Sequence, residues 1–170
     1  MKIEPRRTLR YYLLRFVRLK GEPRFLARGF AIGVFIGITP TIPLHTVAIL
    51  ALTILFRSSK LAGLLASWLV SNPLTFFPQY YLSWRLGTFL TGKTISWEKV
   101  RQIMQMISDG SGFTEILHAI SRLGWDAVIT MVTGGCLLAL PVAVIGYFAA
   151  LYLLTIMNRK RLQKQILNNF

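Results

Sequence analysis

Apolar residues along this chain come in long unbroken blocks and do not alternate with charged ones. Three windows, residues 29–56, 61–84 and 127–158, contain no Asp, Glu, Lys or Arg. Each exceeds the ~20 apolar residues that a membrane-crossing helix needs. Core helices of soluble proteins rarely stay free of charge for that long. The pattern therefore predicts an all-α integral membrane protein in which each segment satisfies its own backbone polar groups.

Simple spans fit this pattern poorly. A straight helix over the first window would run ~42 Å against a hydrocarbon core of ~30 Å. The windows also carry breakers. Thr39-Pro40-Thr41-Ile42-Pro43 interrupts the first, Ser71-Asn72-Pro73 the second, and Gly134-Gly135 and Pro141 lie inside the third. Proline removes a backbone donor and disfavours helix at the residue before it. Windows one and two are thus predicted to be helix–break–helix elements. Each begins after a basic residue (Arg28, Lys60), breaks at a proline and ends before an arginine (Arg57, Arg85). Paired interrupted segments can mark a repeat around a substrate site; coincidence between two apolar stretches is the alternative.

Helical spacing also organises the flanks. In residues 5–20, Leu9, Tyr12, Leu13, Phe16 and Leu19 share one face, and Arg7, Arg10, Arg15 and Arg18 share the other. Such a helix suits the headgroup layer over anionic lipid. After window two, Trp97, Val100, Met104 and Ile107 repeat at helical spacing, as do Phe113, Ile116, Leu117, Ile120 and Leu123 beyond Gly110-Ser111-Gly112. These predict two short surface helices, with Trp84, Trp97 and Trp125 near the interfaces. The expected layout is one membrane domain over residues 1–170. It comprises a basic amphipathic helix (1–24), two broken apolar elements (25–92), interfacial helices (93–126), an apolar hairpin or long helix (127–158) and a basic tail (159–170).

Composition sharpens this picture. Hydrophobic residues make up 54% and charged residues 15% of 170, too little polar surface to wrap a soluble enzyme. Lys and Arg number 20 against 6 Asp and Glu, a net charge of +14. A nucleic-acid binder would not keep such long windows free of charge, so the excess points to anionic lipid. Nine cations precede Gly29, and Arg159, Lys160, Arg161 and Lys164 follow the third window. The positive-inside rule then places both termini in the cytoplasm of a multi-pass protein. Two topologies remain. Either each broken element is a re-entrant hairpin that keeps Arg57 and Lys60 on the cytoplasmic side, or both windows span and window three folds into a hairpin. The charge bias favours the first. No cleavable signal peptide is expected, because the first apolar run exceeds an h-region and no A-x-A site follows it. The single cysteine, Cys136, excludes an intrachain disulfide and a Cys-rich metal site.

Candidate chemistry centres on the breaks. Asn is a strong N-cap and Pro suits the first helical position, so a half-helix is expected to begin at Pro73. Its N–H groups could hold an anion, with Asn72 and Thr75 beside it and Arg85 at the entrance. Thr41, His45 and Thr46 would form the matching end of the first break. The alternative is that these residues only satisfy freed backbone at a break. Gly29, Gly33 and Gly37 form one stripe for helix packing, within a chain or between copies, and Ala139, Ala143 and Gly146 form another. The acids Glu98, Asp109, Glu115 and Asp126 are scattered, and no nucleophile–His–acid set or phosphate loop is visible. No enzyme activity, cofactor or metal is expected.

The stretch from Arg28 through Gly29, Phe30, Ala31, Ile32 and Gly33 to Gly37, followed by Pro40, resembles the opening signature of the bacterial domain-of-unknown-function 2062 family. Asn72-Pro73-Leu74-Thr75, then Tyr80-Tyr81 and Arg85-Leu86-Gly87, is similar to its second signature. A glycine-rich segment ending near Gly146-Tyr147 is similar to its third. The resemblance covers roughly residues 25 to 155. It implies a small bacterial inner-membrane protein and assigns no activity. Two functions therefore stand as expectations. One is a carrier or binder of an anionic amphiphile, such as a phospholipid or polyprenyl phosphate. The other is a non-catalytic scaffold that organises an envelope complex, with homo-oligomers possible under either.

Overall fold

The computed structural model describes residues 11–167 apart from positions 13, 17, 20, 42, 43, 72, 94 and 111. The protein is all-helical, with no strands among the described residues. A helical segment around residues 14–16 is followed by α1 (Pro23–Ile38), α2 (His45–Leu55), α3 (Lys60–Val70) and α4 (Pro73–Thr91). Then come α5 (Trp97–Ser108), α6 (Phe113–Leu123) and α7 (Trp125–Leu167). Pro23 and Pro73 open α1 and α4, where a missing N–H breaks no helical bond. The Ser59 hydroxyl accepts from the Ala62 N–H at 3.2 Å and caps α3. Gly110 and Gly124, at φ of 76° and 87°, separate α5, α6 and α7.

The 43-residue α7 is the spine. At ~1.5 Å per residue it is ~65 Å long. Gly134, Gly135 and Pro141 do not break it. Proline costs the helix one donor, while the two glycines let neighbouring backbones come close. α1 lies antiparallel along the middle of α7, with Phe30 and Val34 against Gly146 and, just beyond α1, Thr39 and Pro40 against Gly135. α4 lies antiparallel on its N-terminal half, with the Ser83 carbonyl against Gly134 and Gly87 against the Thr130 carbonyl. Farther along the same seam, Lys93 Nζ meets Asp126 Oδ1 at 2.5 Å.

α3 runs parallel to α1, and the glycine stripe is the reason. Gly29 faces Ser59, Gly33 faces Gly63 and Gly37 faces Ser67, four residues apart on both helices. α2 fits between their ends in the opposite sense, with His45 near Ser67 and with Ile49 and Thr53 against Gly63. The first broken element thus folds back on itself. The second bends instead, by 89° between α3 and α4. The return from α2 to α3 is tight and places Arg57 at φ of 46°. For a residue with a Cβ that left-handed conformation costs about 1 kcal/mol.

Among the described residues one helix is long and apolar enough to cross a membrane, over Trp125–Lys160. The bent α3–α4 pair passes only if counted as one span, and α2 is shorter. The N-terminal segment and the start of α1 pack on the C-terminal half of α7. There Phe16, Leu26, Ala27, Ala62, Leu65, Ala150 and Leu154 form one buried cluster. Of the apolar face expected for the N-terminal segment, Tyr12, Phe16 and Leu19 pack in or against this cluster, and Leu9 and Leu13 lie outside the described residues. Three alanines leave room for the Phe16 ring, which is 4% exposed and lies tilted against the Phe30 ring, 4.8 Å between centroids. Tyr12 meets Trp68 edge-on at 5.9 Å. Arg15 and Arg18 remain exposed. Arg7 and Arg10 lie outside the described residues.

Candidate functional site

The two breaks meet, and the consequence follows from one proline. Pro40 has no N–H, so the helix ends at Ile38. The Thr39 N–H and hydroxyl both donate to the Phe35 carbonyl, at 3.1 and 2.9 Å. The Thr41 N–H turns to the Thr39 carbonyl at 2.8 Å, which leaves Gly37 without its helical donor. Two side chains from the second element supply that carbonyl. The Ser71 hydroxyl donates at 2.6 Å and the Gln79 amide at 2.5 Å. Ser71 N–H itself donates to the Ser67 carbonyl at 2.7 Å, and the Thr75 hydroxyl donates to the Val70 carbonyl. A buried carbonyl of one break is therefore satisfied by the other.

The imidazole of His45 closes the arrangement. Its Nδ1 lies 3.3 Å from the Thr41 hydroxyl and its Nε2 lies 3.0 Å from the Ser67 hydroxyl. A neutral imidazole donates through one nitrogen and accepts through the other, and both hydroxyls can rotate to suit. Ser67 is fully buried, and Thr39 and Gln79 nearly so. These polar groups are used on one another, and they pin the C-terminal ends of α1 and α3 to the starts of α2 and α4.

The residues singled out in the sequence fall in different places. Thr41 and His45 belong to this junction. Thr75 caps the end of α3 and is exposed, Thr46 is exposed next to His45, and Asn72 lies outside the described residues. Arg85 stands apart, ~9 Å farther along α4 from Gln79. It lines an open groove of about 600 Å³ with Leu82, Leu86, Phe89 and Lys93. Its guanidinium has no ion-pair partner among the described residues, whereas Lys93 is paired with Asp126. Phe89 is 85% exposed. Gly29, Gly33 and Gly37 pack against α3 of the same chain, and Ala139 and Ala143 pack against Val34, Ile38 and Ala66.

Sequence reasoning missed Gln79 and Ser67, although a carboxamide inside a charge-free window was itself a signal. It also missed the second close approach, where Ser83, Gly87 and Thr91 recur every four residues against Thr130 and Gly134.

Fold and site together define an all-helical protein with a membrane-compatible spine and a polar junction between two broken elements. The chain belongs to the family described as uncharacterized protein conserved in bacteria (DUF2062), which matches residues 6–163. No curated protein and no solved structure matches it.

Proposed function

We propose that this is a multi-pass protein of the bacterial cytoplasmic membrane, with both termini in the cytoplasm, that binds an anionic amphiphile such as a phospholipid or polyprenyl phosphate. One observation carries the reading. Arg85, without an acidic partner among the described residues, sits in a groove walled by Leu82, Leu86 and Phe89. A cation beside exposed apolar side chains suits a ligand with an anionic head and a hydrocarbon tail. The role is binding or carriage, without catalysis.

The topology has its own support. α2 and α3 are each 11 residues, ~17 Å, and too short for a ~30 Å core. The α1–α2 fold-back brings Arg57 and Lys60 to the end of α7 that precedes Arg159 and Lys160, the distribution the positive-inside rule assigns to the cytoplasm. Read this way, α1–α2 is a re-entrant hairpin. The scaffold reading draws on the junction, because polar groups that satisfy one another serve the fold and leave nothing for a ligand.

Native mass spectrometry of the mildly solubilised protein separates the two. The expected result is a retained anionic lipid that Arg85→Ala weakens about fivefold without altering unfolding. If Arg85→Ala retains the same lipid at the same stoichiometry and strength as the parent, the groove is not the site and the scaffold reading takes its place.

A further inference from the structure

The turn between α2 and α3 carries two cations, Arg57 and Lys60, and the fold surrounds it with more. The Ser59 N–H donates to the Phe25 carbonyl at 3.3 Å, which sets the turn beside Arg24 and Arg28 in the first turns of α1. Leu154 packs with Leu26, Ala27 and Ala62, so Arg159 and Lys160 emerge ~7–9 Å farther along α7 at the same end. All six are exposed, and none has an acidic partner within ion-pair distance among the described residues. Glu22 is the only acid among the described residues at this end.

Two further features concern the turn itself. Arg57 occupies left-handed backbone space, where glycine or asparagine would sit without strain. Backbone strain of this kind clusters at ligand-binding and switch sites. Its neighbours are also unusual. Leu55, Phe56 and Leu61 are 72%, 56% and 62% exposed, directly beside the two cations. A nucleic acid or an acidic peptide would satisfy the charges and leave these side chains in water. A phospholipid offers an anion and hydrocarbon within one residue's reach.

We propose that the α2–α3 turn, with the adjoining ends of α1 and α7, is a binding site for anionic phospholipid headgroups. Arg57 and Lys60 meet the phosphate, and Leu55, Phe56 and Leu61 enter the acyl region. The site rests on the membrane reading above and is separate from the Arg85 groove, which lies against the other half of α7.

The test uses the full chain in neutral detergent, titrated with phosphatidylglycerol and, separately, phosphatidylcholine. Arg57→Gly removes the charge and relieves the backbone, so it is expected to unfold at the same or higher denaturant than the parent. Its phosphatidylglycerol affinity is expected to fall about fivefold, and that of Arg57→Gly with Lys60→Gln about 25-fold. Arg57→Lys is expected to bind like the parent, and phosphatidylcholine to be indifferent to all variants. The site is refuted if the double variant binds phosphatidylglycerol as the parent does. It is equally refuted if Arg57→Gly unfolds more easily and Arg57→Lys does not restore binding. Displacement of phosphatidylglycerol by inorganic phosphate or a short oligoribonucleotide would reassign the site to a free anion or a nucleic acid. Arg85→Ala runs in parallel, so loss in that variant alone overturns this site and leaves the groove standing.

Discussion

A single methyl group at Gly33 tests the packing on which the fold-back depends. A Cβ there would lie 2.0 Å from the Gly63 carbonyl oxygen and 2.9 Å from the Ala66 Cβ. Real Cβ contacts do not fall below 3.0 Å, so α1 and α3 must part by about 1 Å. The obstacle is backbone, which cannot rotate away. Parting the helices also loosens Gly29 from Ser59 and Gly37 from Ser67, because all three contacts lie on one stripe. Overpacking of this kind costs ~1–3 kcal/mol, and the helical preference of Ala over Gly returns ~0.8 kcal/mol. Gly33→Ala should therefore lose ~0.2–2.2 kcal/mol, about sevenfold in the folded-to-unfolded ratio at the middle of that range. Gly146→Ala is the matched control. Its Cβ meets the Phe30 ring at 3.4 Å, an ordinary contact, so the variant should keep the ~0.8 kcal/mol gain. Unfolding in mixed micelles of increasing denaturing detergent, followed by circular dichroism, measures both. Equal stabilities for the two variants, or a Gly33→Ala protein as stable as the parent, would refute the reasoning.

Three other variants follow from named bonds. Gln79→Leu removes one of the two donors to the Gly37 carbonyl and should cost ~1 kcal/mol in the same assay; adding Ser71→Ala leaves that carbonyl bare and should raise the loss to ~2–3 kcal/mol. Asp126→Asn removes the partner of Lys93, but the side chains are 44% and 73% exposed, so unfolding should shift by less than ~0.5 kcal/mol.

The helices were legible in the sequence wherever breakers and periodicity agreed. Pro40 and Pro73 mark the breaks because a missing N–H acts locally. Gly29, Gly33 and Gly37 mark a close approach because spacing alone puts them on one face. Gly134-Gly135 was ambiguous, since the same residues interrupt a helix or admit a neighbour, and only α4 and the Thr39-Pro40 segment packed there decide between them. The N-terminal segment was legible as amphipathic, but whether lipid or protein covers its apolar face depends on the small side chains of Ala27, Ala62 and Ala150, far away in the chain. The junction was half legible. Thr41 and His45 stood out beside a break, whereas Ser67 and Gln79 join it through tertiary contacts 22 and 42 residues away in sequence. Arg85 was grouped with them by its place in the second element, but the length of α4 carries it into a groove of its own.

The fold-back of α1 on α2 is the feature from which the membrane reading is built, and surface labelling tests it directly. Ser58 is a poor reporter, being 4% exposed, and Phe56 is assigned to the acyl region, while Lys60 is exposed at the headgroup level of the same turn. With Cys136→Ser as background, Lys60→Cys should resist a membrane-impermeant thiol reagent applied to intact cells and react once the membrane is opened. Labelling of Lys60→Cys in intact cells would place the turn outside and contradict the re-entrant hairpin.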